Sequence, residues 1–354
     1  MGIKKLPTEP VGSIPRPERY QRALASIRNQ SLVEQEAELA VRDTISQFEA
    51  TGSPVITDGE QTKSSFLHYV FEGADNIGPG SIAVTFTDGH ARDIPQLLAG
   101  PFRYGTYADQ YVRKAKALTT RPVKVAVMST HALSLIYPTT GLKDYSKEQF
   151  LTDLVAEAAK EILLCFEAGA DSVQIDWTEG RLSLKLDPSG SFLNEGIRLN
   201  NAVIARVPKQ FHDRIGIHVC PGGDRDSTHS ADVPYEALLS RMFEINAKRF
   251  FLQMITEPNY EAALKTVAAH LREGQIAYIG VTNHLTNEVE SPETVRDRIL
   301  LAAKYIPVDQ LGTTDDCGFS PFTDDLSTSR ETAFAKIKAR IDGNDLASAV
   351  LFAS

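Results

Sequence analysis

Cysteine is scarce in this chain. Its 354 residues include three, Cys165, Cys220 and Cys317. Three is too few, and odd in number, for a disulfide framework, so reduced thiols are the simpler reading. No basic block breaks an overall net charge of -9, which argues against nucleic acid or an anionic membrane as the main partner. No apolar run is longer than a strand, so no membrane-spanning segment is expected. The opening Met1-Gly2-Ile3-Lys4-Lys5-Leu6-Pro7 lacks the apolar run of a signal peptide. A cytoplasmic location is the expectation. There is no CxxC, no HExxH, no internal repeat and no low-complexity stretch. Gly222-Gly223 lacks the strand-GxGxxG-helix frame and the following Lys-Ser/Thr that a phosphate cradle needs.

What remains is an α/β pattern. Hydrophobic residues make up 42% of the chain, enough for a sizeable core, and α/β barrels of this length form one domain. Eight segments read as strands: Pro10 to Ile14, Pro54 to Asp58, Pro122 to Ser129, Asp171 to Asp176, Arg214 to Cys220, Arg249 to Gln253, Ile276 to Val281 and Gln310 to Thr313. Several are continuous apolar runs, as expected of strands covered on both faces. Amphipathic stretches alternate with them, among them Leu32 to Ala50, Lys147 to Ala168, Tyr235 to Ala247, Tyr260 to Glu273 and Ser291 to Tyr305. Strands alternating with helices imply parallel βα units, and eight of them a single (β/α)8 TIM barrel over residues 1–354. Residues 60–120 are long for one crossover. Ser81 to Asp93 alternates like a hairpin around Asp88-Gly89, so this stretch reads as an insertion near the barrel mouth. Trp177 to Asn201 reads as a long loop before a helix.

In such a barrel the chemistry sits at the C-terminal ends of the strands. Two of those ends carry His218-Val219-Cys220 and Asp316-Cys317-Gly318. One imidazole and two thiols suit an open zinc site that keeps a position free for water or substrate. The bland alternative is that strand-end cysteines are simply core. Their convergence on one rim with Ser13, Asp58, Glu60, Ser129, His131, Asp176, Glu179 and Gln253 favours the metal site.

His218-Val219-Cys220, the late Asp316-Cys317-Gly318, the early Val11-Gly12-Ser13 and the strand end Gln174-Ile175-Asp176 together resemble the catalytic barrel of cobalamin-independent methionine synthase. The resemblance runs from about Pro10 to about Ile341 and is closest to single-barrel relatives, a group that includes an epoxyalkane:coenzyme M transferase and has the barrel type shared with uroporphyrinogen decarboxylase. It implies a zinc ion that activates a substrate thiol for attack on a methyl or other alkyl carbon. Carried over, His218, Cys220 and Cys317 are the zinc ligands. The family's glutamate ligand falls on Gln253, with Glu257 four residues further on. A neutral amide is a poorer zinc ligand than a carboxylate and changes the site's charge by one unit. Glu60 and Ser13 match positions near the substrate. Asp176 matches an aspartate that helps hold the homocysteine amino group. The family's Asp-Glu-Pro-Ala run is here Asp176-Trp177-Thr178-Glu179, which points to a different thiol.

Beyond the resemblance, Asp176 and Glu179 are spaced to reach the mouth together, as an ammonium site or an acid–base pair. The alternative is that Asp176 caps a loop and Glu179 pairs with Arg181. Trp177, the only tryptophan, is either a wall of the site or a core filler. Arg225 and Arg16 can clamp an anion, or else tie down backbone carbonyls and acidic neighbours. The implied partners are a small-molecule thiol and an alkyl or methyl donor, and a homo-oligomer is compatible with the sequence. Two rival functions stay open. One is thiol addition to an epoxide, or other carbon–sulfur chemistry, at the same zinc. The other is a non-catalytic barrel that binds a small acid.

Overall fold

The computed structural model describes residues 4–26, 30–86, 89, 91–222 and 228–353. Its centre is a six-stranded parallel sheet in sequential order. The strands follow an antiparallel hairpin formed by β1 (Ile77–Thr85) and β2 (Ala91–Leu97). They are β3 (Lys124–Met128), β4 (Ser172–Asp176), β5 (Ile215–Val219), β6 (Arg249–Leu252), β7 (Ile276–Gly280) and β8 (Leu311–Thr314). Strands β3, β4, β5 and β8 are buried throughout, which is why their sequences read as apolar runs rather than alternations.

The first two expected strands are a correction. Pro10 to Ile14 and Pro54 to Asp58 form no regular ladder. Thr8 makes one parallel bridge to Thr313, and Ile56 makes one to Val123. Prolines 7, 10 and 54 lack the N–H that a ladder needs. These segments nevertheless connect the two edges of the sheet. Glu9 N–H donates to Thr313 O at 3.0 Å, Lys124 N–H to Ile56 O at 2.8 Å, and Ile14 N–H to Gly59 O at 3.0 Å. Thr57 Oγ1 donates to Gly12 O at 2.7 Å. The ring of eight positions is that of a (β/α)8 barrel, as the alternating pattern implied.

The stretch read as a loop, Trp177 to Asn201, is a second correction. It holds α1 (Glu179–Leu186) and the start of α2 (Ser191–Arg206). Gly180 suggested a break, but any side chain there would strike the Trp177 ring, 3.1 Å from a Cβ. This glycine serves close packing rather than a turn. The hairpin expected in the insertion is present, though Thr87, Asp88 and His90 lie outside the described residues. It leans over the barrel mouth: Arg92 stacks on Phe322 at 3.7 Å and Phe86 faces His229 at 6.1 Å.

The barrel interior is unusually polar. Glu9 holds Arg249 at 2.8 Å and lies 3.6 Å from Lys124 Nζ. Lys124 donates to Gln174 Oε1 at 2.9 Å, and Gln174 Nε2 donates to Asp176 Oδ1 at 2.7 Å. Ammonium is a donor only, so the Gln174 amide can face just one way and must present its NH2 to Asp176. Burial pushes Lys124 down to about 8, against the pull of Glu9.

Among the described residues no helix is long and apolar enough to cross a membrane.

Candidate metal centre and its two cavities

His218 ends β5 but for one residue, and Cys220 follows the strand directly. Alternation puts both side chains on the same face of the strand. Cys317 arrives after β8, and the donor atoms of the three lie within 4.8 Å of one another. Cys317 Sγ is 3.4 Å from Cys220 Sγ and 3.8 Å from His218 Nε2. All three side chains are buried. His218 Nδ1 lies 3.1 Å from the Phe251 carbonyl oxygen. A carbonyl only accepts, so Nδ1 carries the proton and the Nε2 lone pair is left facing the sulfurs.

The electrostatics fit that arrangement. A hydrogen bond from Cys317 pulls the Cys220 thiol well below its ordinary range, and burial does not undo this because His218 and the Gly222 N–H also favour the thiolate. Cys317 is pushed the other way, first by its bond to Cys220 and then by burial. The opposite shifts follow from the Cys317 S–H donating to Cys220 Sγ at 3.4 Å. Burial opposes charge on His218, but Cys220, Asp176 and the Phe251 carbonyl outweigh it and raise its pKa.

Gln253 sits one residue beyond the last β5–β6 pair, Val219 with Leu252, on the strand beside Cys220. Its Nε2 bonds Thr256 Oγ1. Its Oε1 is buried with no hydrogen-bond partner. An orphaned carbonyl-type oxygen, a free imidazole nitrogen and two sulfurs are the donor set a borderline cation prefers. The residues therefore fit a metal. Glu257 is occupied elsewhere, in a buried ion pair with Arg181 at 2.6 Å. Arg181 thus pairs with Glu257 and not with Glu179.

The turn carrying Gln253 is fixed by a residue that the sequence presented only as part of a motif. Asp316 accepts the N–H groups of Met254, Ile255 and Thr256 at 2.9, 3.0 and 3.0 Å. Gly280 makes room for it, since a Cβ there would lie 1.9 Å from Asp316 Oδ1. Burial raises Asp316 to about 7 in spite of those three donors. The signal in the sequence was the doubled Asp315-Asp316 before Cys317. Asp315 goes the other way, to Arg340 at 3.0 Å.

Beside the sulfurs lies a cavity of about 30 Å³ lined by Ser13, Glu60, Asp176, Thr178, His218 and Cys317, among others. Ser13, Glu60 and Asp176 are thus brought to one place with two of the three donors. Ser13 Oγ accepts from Ser320 N–H at 3.2 Å. Glu60 is the only non-glycine among the described residues with positive φ, 56°, a conformation that costs energy and clusters at functional sites. Asp58 stabilises it by accepting the Glu60 N–H at 3.0 Å. Glu60 Oε1 meets Lys63 Nζ at 2.9 Å, a buried lysine that the sequence reading missed and that no motif marked. Lys63 also donates to Ala126 O at 2.7 Å and lies over the Tyr69 ring at 4.7 Å. Burial raises Asp176 to about 6, with Glu60 adding to the effect and His218 and Gln174 opposing it.

Two other expected contacts resolve differently, and a third is not described. Trp177, weighed as a wall of the site, is fully buried and lines neither cavity described here. Its Nε1 donates to His131 Nδ1 at 2.9 Å, so the core-filler alternative is the one the geometry favours. Arg16 clamps no open anion site. It donates to the carbonyls of Glu60, Gln61, Lys63 and Phe322 at 2.9 to 3.2 Å. Arg225 lies outside the described residues.

Glu179 lines a second cavity of about 80 Å³ beneath the hairpin, which shares Phe66 and Thr178 with the first. Ser129 Oγ donates to Glu179 Oε1, and Glu179 Oε2 is buried without a partner. Burial raises this carboxyl to about 8.

Residues 6–336 match the family of the cobalamin-independent synthase catalytic domain. The chain belongs to this family. Relatives in the curated collections are distant but extensive. It is 26% identical to a methionine synthase of Thermococcus kodakarensis over 331 residues, covering 90% of this chain and 88% of that one. It is also 26% identical to the uncharacterized protein YxjH of Bacillus subtilis, over 83% and 81% of the two chains. Against the 5-methyltetrahydropteroyltriglutamate–homocysteine methyltransferase of Nitratidesulfovibrio vulgaris it is 24% identical and spans 42% of that longer protein. Among solved structures, a B12-independent methionine synthase from Shewanella sp. W3-18-1, in complex with selenomethionine, superposes with a TM-score of 0.77 at 18% identity, covering 99% of this chain and all of that one. A second solved structure, of a protein from Listeria monocytogenes, gives 0.71 at 20%, over 98% and 99% of the chains. These likenesses show a shared barrel. The protein is a methionine-synthase-like member of a methyltransferase family.

Proposed function

We propose that this synthase-family barrel is a zinc-dependent transferase, and that it alkylates the sulfur of a small aminothiol, with methyl from a methyl donor as the default group. The observation that carries the reading is the convergence of His218, Cys220 and Cys317 within 4.8 Å on a cavity that Asp176 and Glu60 also line. His218, Cys220, Cys317 and Gln253 would hold the zinc. Bound there, zinc supplies the positive charge that lowers a thiol's pKa into the neutral range.

The chain's own residues do the rest. Asp176 and Glu60 offer two carboxylates to the substrate's ammonium, and Lys63 keeps one Glu60 oxygen fixed at 2.9 Å. An arriving ammonium favours the ionised form of Asp176, which the empty cavity disfavours. Ser13, bonded across to Ser320, fixes the wall beside Gly318. Held in this way, the sulfur faces its electrophile with little freedom left to lose, which is the proximity part of the rate. In the transfer the thiol gives up its proton, the sulfur–carbon bond forms, and the carbon's bond to its leaving group breaks. The leaving group departs with that electron pair.

The relative from Thermococcus is named a methionine synthase, which supports homocysteine as the first thiol to try. Zinc content of protein purified without added metal is the first test, alongside Cys220→Ala and Cys317→Ala. About one zinc per chain, lost in both variants while the fold survives, is the expected outcome. No zinc bound and none taken up would sink the thiol-activation reading. It would leave a barrel that binds a small acid. Product analysis with homocysteine and other thiols against methyl donors and epoxides then separates methyl transfer from thiol addition to an epoxide.

A further inference from the structure

The larger cavity differs in chemistry from the one beside the sulfurs. Its described lining is largely apolar, including Phe86 and Ile94 of the hairpin, Met128 at the end of β3, Leu135, Leu182 of α1 and Phe322. Its polar members differ: Asp93 is exposed at the edge, Arg92 is partly paired and His229 is neutral. Arg92 is paired to Asp324 at 3.0 Å and lies flat over Phe322. It contributes a planar face, and its buried Nε has no hydrogen-bond partner. His229 bonds Ser230 Oγ at 2.9 Å, and burial pushes it down to about 4, so the ring is neutral.

Glu179 is the most deeply buried of them. Its Oε1 accepts from Ser129 and its Oε2 has no partner, in a side chain only 4% exposed. A buried polar oxygen without a partner is costly, and a bound group that completes its bonding removes that cost. Because Oε1 already accepts, a proton on this carboxyl belongs on Oε2, where it can only be donated. The raised pKa of the acid, about 8, agrees with that assignment. Phe66 and Thr178 border both cavities, so a molecule seated in the larger one extends towards the sulfurs.

We infer that the larger cavity receives the uncharged, apolar body of the alkyl-carrying substrate, and that Glu179 Oε2 donates one hydrogen bond to an acceptor oxygen on it. The substrate class is a neutral, largely hydrocarbon or aromatic molecule bearing one carbonyl, ether or similar oxygen. Calling the occupant a substrate rests on the proposed thiol alkylation, whereas the cavity's preference does not.

The test is binding, measured apart from turnover. Purified full-length protein is titrated with 4′-fluoroacetophenone, 4-fluoroethylbenzene and 4-fluorobenzoate and followed by ¹⁹F NMR, with zinc content recorded for each sample. The ketone is expected to bind about tenfold more tightly than the benzoate, from which a buried carboxyl and apolar wall exclude charge. It should bind several-fold more tightly than the ethylbenzene, roughly what one neutral hydrogen bond contributes. Glu179→Gln, which keeps a donor, should hold the ketone within about threefold, while Glu179→Leu should lose the ketone's advantage over the ethylbenzene. Leu135→Trp, which fills the cavity, should abolish all binding with zinc content unchanged. Benzoate bound as well as the ketone, or ketone binding indifferent to Leu135→Trp in folded protein, overturns the inference. No ketone binding at millimolar concentration does so as well. Absence of zinc with ketone binding intact would instead remove the proposed function and leave this cavity's preference standing.

Discussion

The barrel mouth has two unlike halves. Strands β5, β6 and β8, which deliver His218, Gln253 and Cys317, belong to a continuous parallel ladder. Asp316 ties the turn after β6 to the end of β8 through three N–H groups. Ser13 and Glu60 come instead from the two segments that only bridge to the sheet. There a few backbone bonds are supplemented by side chains: Arg16 on four carbonyls, Thr57 on Gly12, and a buried Lys63 against Glu60. Ladder hydrogen bonds fix donor atoms where tolerances are tight. Side-chain clamps add to the hold on the wall that faces the candidate metal donors.

Removing the clamp should have the largest effect. Arg16→Ala removes four hydrogen bonds to buried carbonyls, of which those of Glu60 and Phe322 keep a backbone N–H donor, and should cost about 3 kcal/mol, read as a fall in the denaturant midpoint. Zinc retained by whatever remains folded would sharpen the contrast between the halves. Its loss in step with unfolding would erase the contrast. Asp316→Asn attacks the other half. One of its three acceptor contacts must be replaced by a clashing donor, so zinc affinity should fall about ten- to a hundredfold, measured by competition with a chelator.

Asp176→Asn tests the seam between them. With Asp176 raised to about 6, kcat/KM for an aminothiol should climb as pH rises through that value, because the ionised form holds the ammonium. The variant should lose roughly tenfold in kcat/KM and flatten that limb. A wild-type profile level from pH 5 to 8 would remove Asp176 from ammonium binding. Glu179→Gln changes a slope with pH instead of a fixed level. Folding raises this acid from 4.5 to about 8. The unfolded chain therefore releases a proton between those values that the native protein keeps, and native stability declines as pH rises across the window. The slope is at most about 1.4 kcal/mol per pH unit. In the variant it should shrink, as thermal melts at pH 5 and pH 8 would report.

How much of this was legible in the sequence follows the same division. The laddered strands announced themselves because burial on both faces writes an apolar run, and their ends named His218, Cys220 and Cys317 correctly as neighbours. The first two segments also looked like strands, since apolar residues flank their prolines. Only the missing N–H groups betray that they cannot ladder. Lys63 and Asp316 were opaque for another reason. Their partners stand as far as 63 positions away and are mostly backbone groups, which carry no residue identity to read. Trp177 was ambiguous because a strand-end aromatic can turn either way. What decides it is His131, 46 positions earlier, accepting its N–H.

The polar column from Glu9 through Lys124 and Gln174 reaches Asp176 from beneath the rim. Its members are inward-facing residues of the barrel wall, several at the end opposite the loops. A designer who moved the His218, Cys220 and Cys317 loops onto a barrel with a hydrocarbon interior would transplant the donors and leave behind what orients and charges the carboxylate beside them. On the proposed reading, portable chemistry stops at the metal, and the amine-binding half goes with the trunk.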